Sequence, residues 1–324
     1  MNKNFRQTLF QNNAFLLSVI LILFFGITEG DLFLDSLNIH NIARQISFDI
    51  PLALGMTVVL IVGGIDLSVG SVLSMAAALT ITLQPMGTYV AVAIALLFGI
   101  LVGTINGLLV TKGKIVPFIA TLGMMTFVKG IMLTYTKQLS YAGQDDSFTF
   151  WGDGSIGAVP VPFIIVLFVA FVLWVILTYT KLGRNIYAIG GNLEAAYTAG
   201  INVDKNKTFA FMISGFLSAL AGVLIASRLN ASTTQLGLDS NNWAIAASII
   251  GGASMSGGRG KVSGTVFGVA ALGMLINGMN LLGVSTYYQI GIRALILIAA
   301  VIVDAISTHK IQGKLVLLSY GKRN

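Results

Sequence analysis

The chain has 324 residues, is 56% hydrophobic and carries charge on only 10% of its positions, against about 25% in a soluble domain; its mean hydropathy is +0.87. This excludes an ordinary water-soluble globular protein and points to an all-α polytopic integral membrane protein. The absence of cysteine excludes disulfides, thiolate metal sites and a cysteine nucleophile, and a net charge of +7 has to be explained by where the basic residues fall.

Apolar runs predict ten transmembrane helices, near 14–28, 47–63, 68–84, 88–110, 116–136, 160–179, 208–228, 242–256, 262–282 and 287–304. The first follows Lys3 and Arg6, as in a signal peptide. No small-x-small cleavage site comes after it, so it reads as a retained anchor. Between the second and third spans lies Gly63-Gly64-Ile65-Asp66-Leu67-Ser68-Val69-Gly70-Ser71. A carboxylate is costly in hydrocarbon, so Asp66 belongs at an interface, in a protein-lined cavity or in a re-entrant break. Two readings fit: a pathway-lining or gating element carried by Gly64, Asp66, Ser68 and Gly70, or a short polar hairpin between two spans.

The fourth span carries Gly99, Gly103 and Gly107 at four-residue spacing, a ridge that suits close helix packing. Asn106 adds a polar group there. Lys129 lies within the fifth span. Asp145, Asp146 and Trp151 sit in a long outer loop, about 137–160. The longest inner loop, about 180–207, contains Gly190-Gly191-Asn192-Leu193-Glu194-Ala195-Ala196-Tyr197-Thr198-Ala199-Gly200-Ile201. It reads as a short helix between glycine breaks, with Asn192 as N-cap and Glu194 complementing the dipole. Such a helix suits either docking into another protein or lying on the membrane surface. A second glycine–serine element, Gly251–Gly260, hints at an internal duplication with Gly63–Ser71. Gly260, Gly264 and Gly268 repeat the four-residue ridge, Asn277 and Asn280 add polar groups, and Arg293 lies within the last span. Lys129 and Arg293 either snorkel to the surface or line a polar route, with Asp49 as a possible partner.

With both termini in the cytoplasm, the inner segments collect Lys112, Lys114, Lys181, Arg184, Lys205, Lys207, Arg259, Lys261 and the basic residues of both termini. The basic pI of 9.6 is then a topology signal rather than a nucleic-acid footprint. Several motif matches fail. Gly260-Lys261 lacks the P-loop glycine, since Met255 stands there, and the following hydroxyl, since Val262 does. Gly152-x-Gly154-x-x-Gly157 has no strand before it and no helix after it. His40 and His309 fall at opposite ends, so no metal cluster or catalytic triad assembles. The chain reads as non-enzymatic by itself.

Five stretches carry a family resemblance: 55–73 (GMTVVLIVGGIDLSVGSVL), 116–125 (VPFIATLGMM), 181–203 (KLGRNIYAIGGNLEAAYTAGINV), 249–268 (IIGGASMSGGRGKVSGTVFG) and 276–304 (INGMNLLGVSTYYQIGIRALILIAAVIVD). In that order they resemble the transmembrane permease subunit of ribose-type ATP-binding cassette (ABC) importers, over nearly the whole chain. The resemblance implies one transmembrane permease domain over 1–324 in the bacterial inner membrane, with ribose as the first-choice monosaccharide. It implies a second permease copy, most simply as a homodimer, ATP-binding cassette subunits that hold the ATP and magnesium, an extracytoplasmic sugar-binding protein, and lipid around the spans. It also implies that Gly191, Asn192, Glu194, Ala195, Ala196 and Gly200 form the coupling element to the ATPase. An ion-gradient-driven secondary transporter of a small polar solute, with Asp66 as its ion site, is the alternative.

Overall fold

A computed structural model describes the backbone of residues 13–320 and the side chains of 14–306. Its helices are α1 (Asn13–Thr28), α2 (Ser36–Ile61), α3 (Val69–Thr82), α4 (Thr88–Thr111), α5 (Pro117–Thr136), α6 (Val161–Tyr179), α7 (Lys181–Gly191), α8 (Leu193–Thr198), α9 (Val203–Leu229), α10 (Ser240–Ile250), α11 (Val262–Leu281) and α12 (Thr286–Tyr320), with short helical turns between some of them. Every predicted span coincides with one of these helices. Among the described residues, seven are long and apolar enough to cross a membrane: α2, α4, α5, α6, α9, α11 and the 286–306 part of α12.

The other three are shorter. Helix α1 has 16 residues, α3 has 14 and α10 has 11. At 1.5 Å per residue, α3 and α10 reach only about 21 and about 16 Å, against a hydrocarbon core of about 30 Å. The predicted spans 68–84 and 242–256 are thus short helices; α3 is preceded by a mostly buried break at 62–68, and α10 by the turn-rich segment 230–239. Hydropathy reads apolar composition and does not show where a helix stops: the 242–256 window runs past the end of α10 at Ile250 into the glycine–serine loop.

The centre of the bundle is α2 and α9. Burial covers 83% of the most apolar stretch of α2, but only 6% of that of α12. The glycine ridge of α4 lies directly on α9: a Cβ at Gly99, Gly103 or Gly107 would strike the Gly215 carbonyl, the Phe211 carbonyl or Thr208. Helix α11 meets α10 in the same way, with Gly264 on the Gly251 carbonyl and Gly268 on the Ala247 carbonyl. The ridges therefore pack helices within one copy of the chain.

The packing scheme occurs twice. Short helix α3 seats on long helix α9, where Gly222 faces the Leu73 carbonyl. Short helix α10 seats on long helix α2, where the Ser248 hydroxyl donates to the Ala53 carbonyl at 2.9 Å. Helices α4 and α5 flank α3 as α11 and α12 flank α10. The expected duplication paired Gly63–Ser71 with Gly251–Gly260. Packing instead opposes the break before α3 to the segment 230–239 before α10, with Gly70 and Gly237 in backbone contact. Glycine and serine mark both kinds of segment, so composition alone matched the wrong pair.

Loops gather at two ends. At one, Lys112 pairs with Asp204 at 3.1 Å and the Tyr187 hydroxyl donates to the Gly260 carbonyl at 2.8 Å. At the other, Arg44 pairs with Asp153 at 3.0 Å, and strand β1 (Tyr141–Ala142) pairs antiparallel with β4 (Ala231–Ser232), as β2 (Ser155–Ile156) does with β3 (Val159–Pro160). The Ser147 and Thr88 hydroxyls there hold the Asp145 carboxyl below its ordinary value. This sorting matches the predicted alternation of basic and acidic loops.

Candidate functional site

Helix α2 ends at Ile61, and the chain turns on Gly63, whose φ of +81° suits glycine. It then runs back into the bundle instead of staying at the basic end. Asp66 is buried. Its Oδ1 accepts from the Ser68 N–H at 3.0 Å and the Ser68 hydroxyl at 2.6 Å, and its Oδ2 accepts from the Ser214 hydroxyl at 2.8 Å. Ser214 stands about 16 Å along α9 from its start, at 1.5 Å per residue. The Asn106 amide donates to the Ser68 hydroxyl at 2.9 Å and reaches Asp66 at 3.5 Å. The Thr121 hydroxyl donates to the Ile65 carbonyl at 3.1 Å, tying α5 to the same segment. A carboxylate held by several donors is stabilised without a counter-ion, each bond contributing about 1.5–3 kcal/mol.

Gly64, Asp66, Ser68, Gly70 and Asn106 are thus brought together in one buried node joining α3, α4 and α9. Gly64 sits against the Phe211 ring, and Gly70 against the Gly237 carbonyl. The other predicted residues lie elsewhere. Lys129 is exposed on α5. Asn277 and Asn38 exchange side-chain hydrogen bonds of 2.9 and 2.7 Å, away from the node. Arg293 lies 5.3 Å from the centre of the Trp243 ring, and the Trp243 side chain hydrogen-bonds Asp49.

The inner loop is a second, exposed site. Asn192 caps α8, its Oδ1 accepting from the Ala195 N–H at 2.9 Å. Gly200, at φ +75°, ends the helix, and the Ile201 N–H returns to the Ala196 carbonyl at 3.0 Å. Only Ala196 of the six helical residues is buried, while Leu193, Glu194 and Tyr197 face outward. Gly190, just before, packs on the Ile61 carbonyl, which also accepts from the Gly258 N–H at 2.8 Å. Burial raises the pKa of the nearby Tyr187 phenol. The end of α7, from which the exposed helix α8 follows, therefore stands on the end of α2, immediately before the break that leads to Asp66. Ser214, Ile61, Tyr187, Gly237 and Gly258 were missed from the sequence. A serine or a tyrosine near a span end gives no signal of its partner, although Ser214 was visible as a polar residue in an apolar run.

Residues 38–301 match the family described as branched-chain amino acid transport system / permease component. This chain belongs to that family. It is 41% identical over 302 residues to the ribose import permease protein RbsC of Haemophilus influenzae, covering 91% of this chain and 93% of that protein. It is 42% identical over 276 residues to the RbsC of Bacillus subtilis, covering 84% and 86%. The D-allose transport system permease protein AlsC of Escherichia coli is 38% identical over 295 residues, 90% of each chain. No solved structure matches. The family resemblance read from the residues is therefore confirmed, and the chain is a multi-pass membrane permease.

Proposed function

We propose that this chain is the transmembrane subunit of an ABC importer and forms the path for a monosaccharide, ribose first, across a bacterial inner membrane. The observation that carries the reading is 41% identity to a ribose import permease across 91% of the chain. The family description names amino acids, but the relatives named above are sugar permeases. Ten spans with both termini in the cytoplasm put α7 and α8 on the side where ATP is available. There the outward-facing Leu193, Glu194 and Tyr197 would dock an ATP-binding cassette subunit. A sugar-binding protein would dock at the opposite end. A second copy would complete the path, which suits the open faces of α5 and α12; lipid would cover the rest.

Asp66 has both oxygens engaged by hydroxyls, which does not favour the ion-gradient alternative. The test is to purify the chain from cells expressing its whole system and to reconstitute it in vesicles. ATP-dependent, uncoupler-insensitive ribose uptake is expected, together with an ATPase that co-purifies. Tyr197→Ala combined with Glu194→Arg should reduce the recovered ATPase by roughly tenfold, as loss of about 1.4 kcal/mol would. Uptake that collapses with an uncoupler at constant ATP would overturn the proposal.

A further inference from the structure

Helix α12 is the least enclosed long helix, yet near its basic end Asp304 is only 11% exposed at its side chain. The loop 251–261 holds it. Asp304 Oδ2 accepts from the Met255 N–H at 2.9 Å and the Ser254 hydroxyl at 3.3 Å, and Oδ1 lies 3.7 Å from the Arg259 guanidinium. Arg259 also donates to the Ser254 hydroxyl at 3.2 Å, and its carbonyl accepts from the Ser254 N–H at 3.1 Å. The loop is thus closed on itself around the carboxylate.

The other side of the same loop rests on the inner-loop site. Gly257 and Gly258, at φ +84° and +72°, lie so close to Gly190 and Gly191 that a Cβ on either would crowd their backbone. Gly258 donates to Ile61, and Tyr187 donates to Gly260. A carboxylate bonded to a backbone N–H is short and directional, unlike an apolar contact that can slide. The buried node at Asp66 offers no such route, because its partners lie on the break itself, α4 and α9.

We propose that Asp304 is a positioning residue through which the inner-loop site moves α12: the loop 251–261 grips Asp304 on one side and α7 on the other, and carries displacement of α7–α8 into α12 as a rigid link. The inference rests on the transport reading above. It names a step that reading leaves open, namely how force on an exposed helix reaches a span that has few neighbours.

The test uses the complete assembly in vesicles, measuring ribose uptake and ATP hydrolysis together. Asp304→Ala should lower sugar moved per ATP hydrolysed by roughly tenfold, within the span of a typical coupling energy. Asp304→Asn keeps an acceptor for Met255 and should fall between. Because the chain has no native cysteine, Ser254→Cys with Asp304→Cys supplies a switchable link. Its reduced form should be uncoupled, and oxidation to the disulfide should restore coupling, which a merely structural role would not produce. An unchanged ratio of uptake to hydrolysis in Asp304→Ala, or no recovery on cross-linking, would sink the inference. Absence of ATP-driven uptake in the unsubstituted assembly would instead overturn the transport reading.

Discussion

Asp66 is the residue whose chemistry changed most between sequence and structure. From sequence it is a costly carboxylate among apolar runs, equally suited to a pathway or a hairpin. In the bundle it is an acceptor for Ser68 and Ser214, with Asn106 alongside. Asp66→Ala would leave these donors buried and unpaired, at about 1–3 kcal/mol each. Asp66→Asn keeps one acceptor oxygen and should lose about half as much. Melting of the detergent-purified protein should therefore drop in the order wild type, Asp66→Asn, Asp66→Ala. A variant with alanine at this position that melts like the wild type would show that the node does not hold the helices together. That carboxylate was legible as important, but its partners were not. Ser214 is 148 positions away, and no local pattern encodes that approach.

At the scale of elements, the glycines separate into those that pack and those that turn. Gly70 touches the Gly237 carbonyl, so Gly70→Ala must push two backbones apart. Overpacking of this kind costs about 1–3 kcal/mol or more. A Cβ at Gly64 would meet the Phe211 ring and the Val59 side chain at 3.2 Å, and side chains can shift. Gly70→Ala should therefore reduce the yield and melting temperature of assembled protein, and Gly64→Ala should leave both close to wild type while uptake is measured separately. From the sequence both glycines belonged to one motif and would be expected to act alike. The tertiary contacts divide them, because Gly237 comes from a segment far along the chain. The short length of α3 and α10 was hidden as well. Both windows are apolar, and composition does not show that the chain leaves the helix at Leu83 and at Gly251.

At the scale of the whole molecule, the sorting of basic loops to one end and the acidic loop 137–160 to the other gives a topology that can be labelled. With no native cysteine, single substitutions report sidedness directly. Trp151→Cys should react with an impermeant thiol reagent added to intact cells stripped of any outer membrane, and Tyr197→Cys should react only after the membrane is opened. Both side chains are exposed, at 41% and 53%, so in the chain expressed without partner subunits reactivity reads location rather than burial. Reaction of both from the same side would overturn the alternating arrangement of spans.

By itself the sequence determined the solvent of this protein, the approximate position of its apolar helices, the clustering of basic loops and the exposed inner helix with its Asn192 cap. These follow from hydropathy, charge and capping, which act over a few turns of chain. Only the tertiary structure decided that the break at Gly63–Ser68 folds inward, that it faces 230–239 rather than 251–260, and that loop 251–261 joins α7 to Asp304. Those outcomes depend on contacts between residues far apart in sequence, the hydrogen bonds of Asp66 and Asp304 and the close approach of glycine backbones, and no local pattern shows such partners.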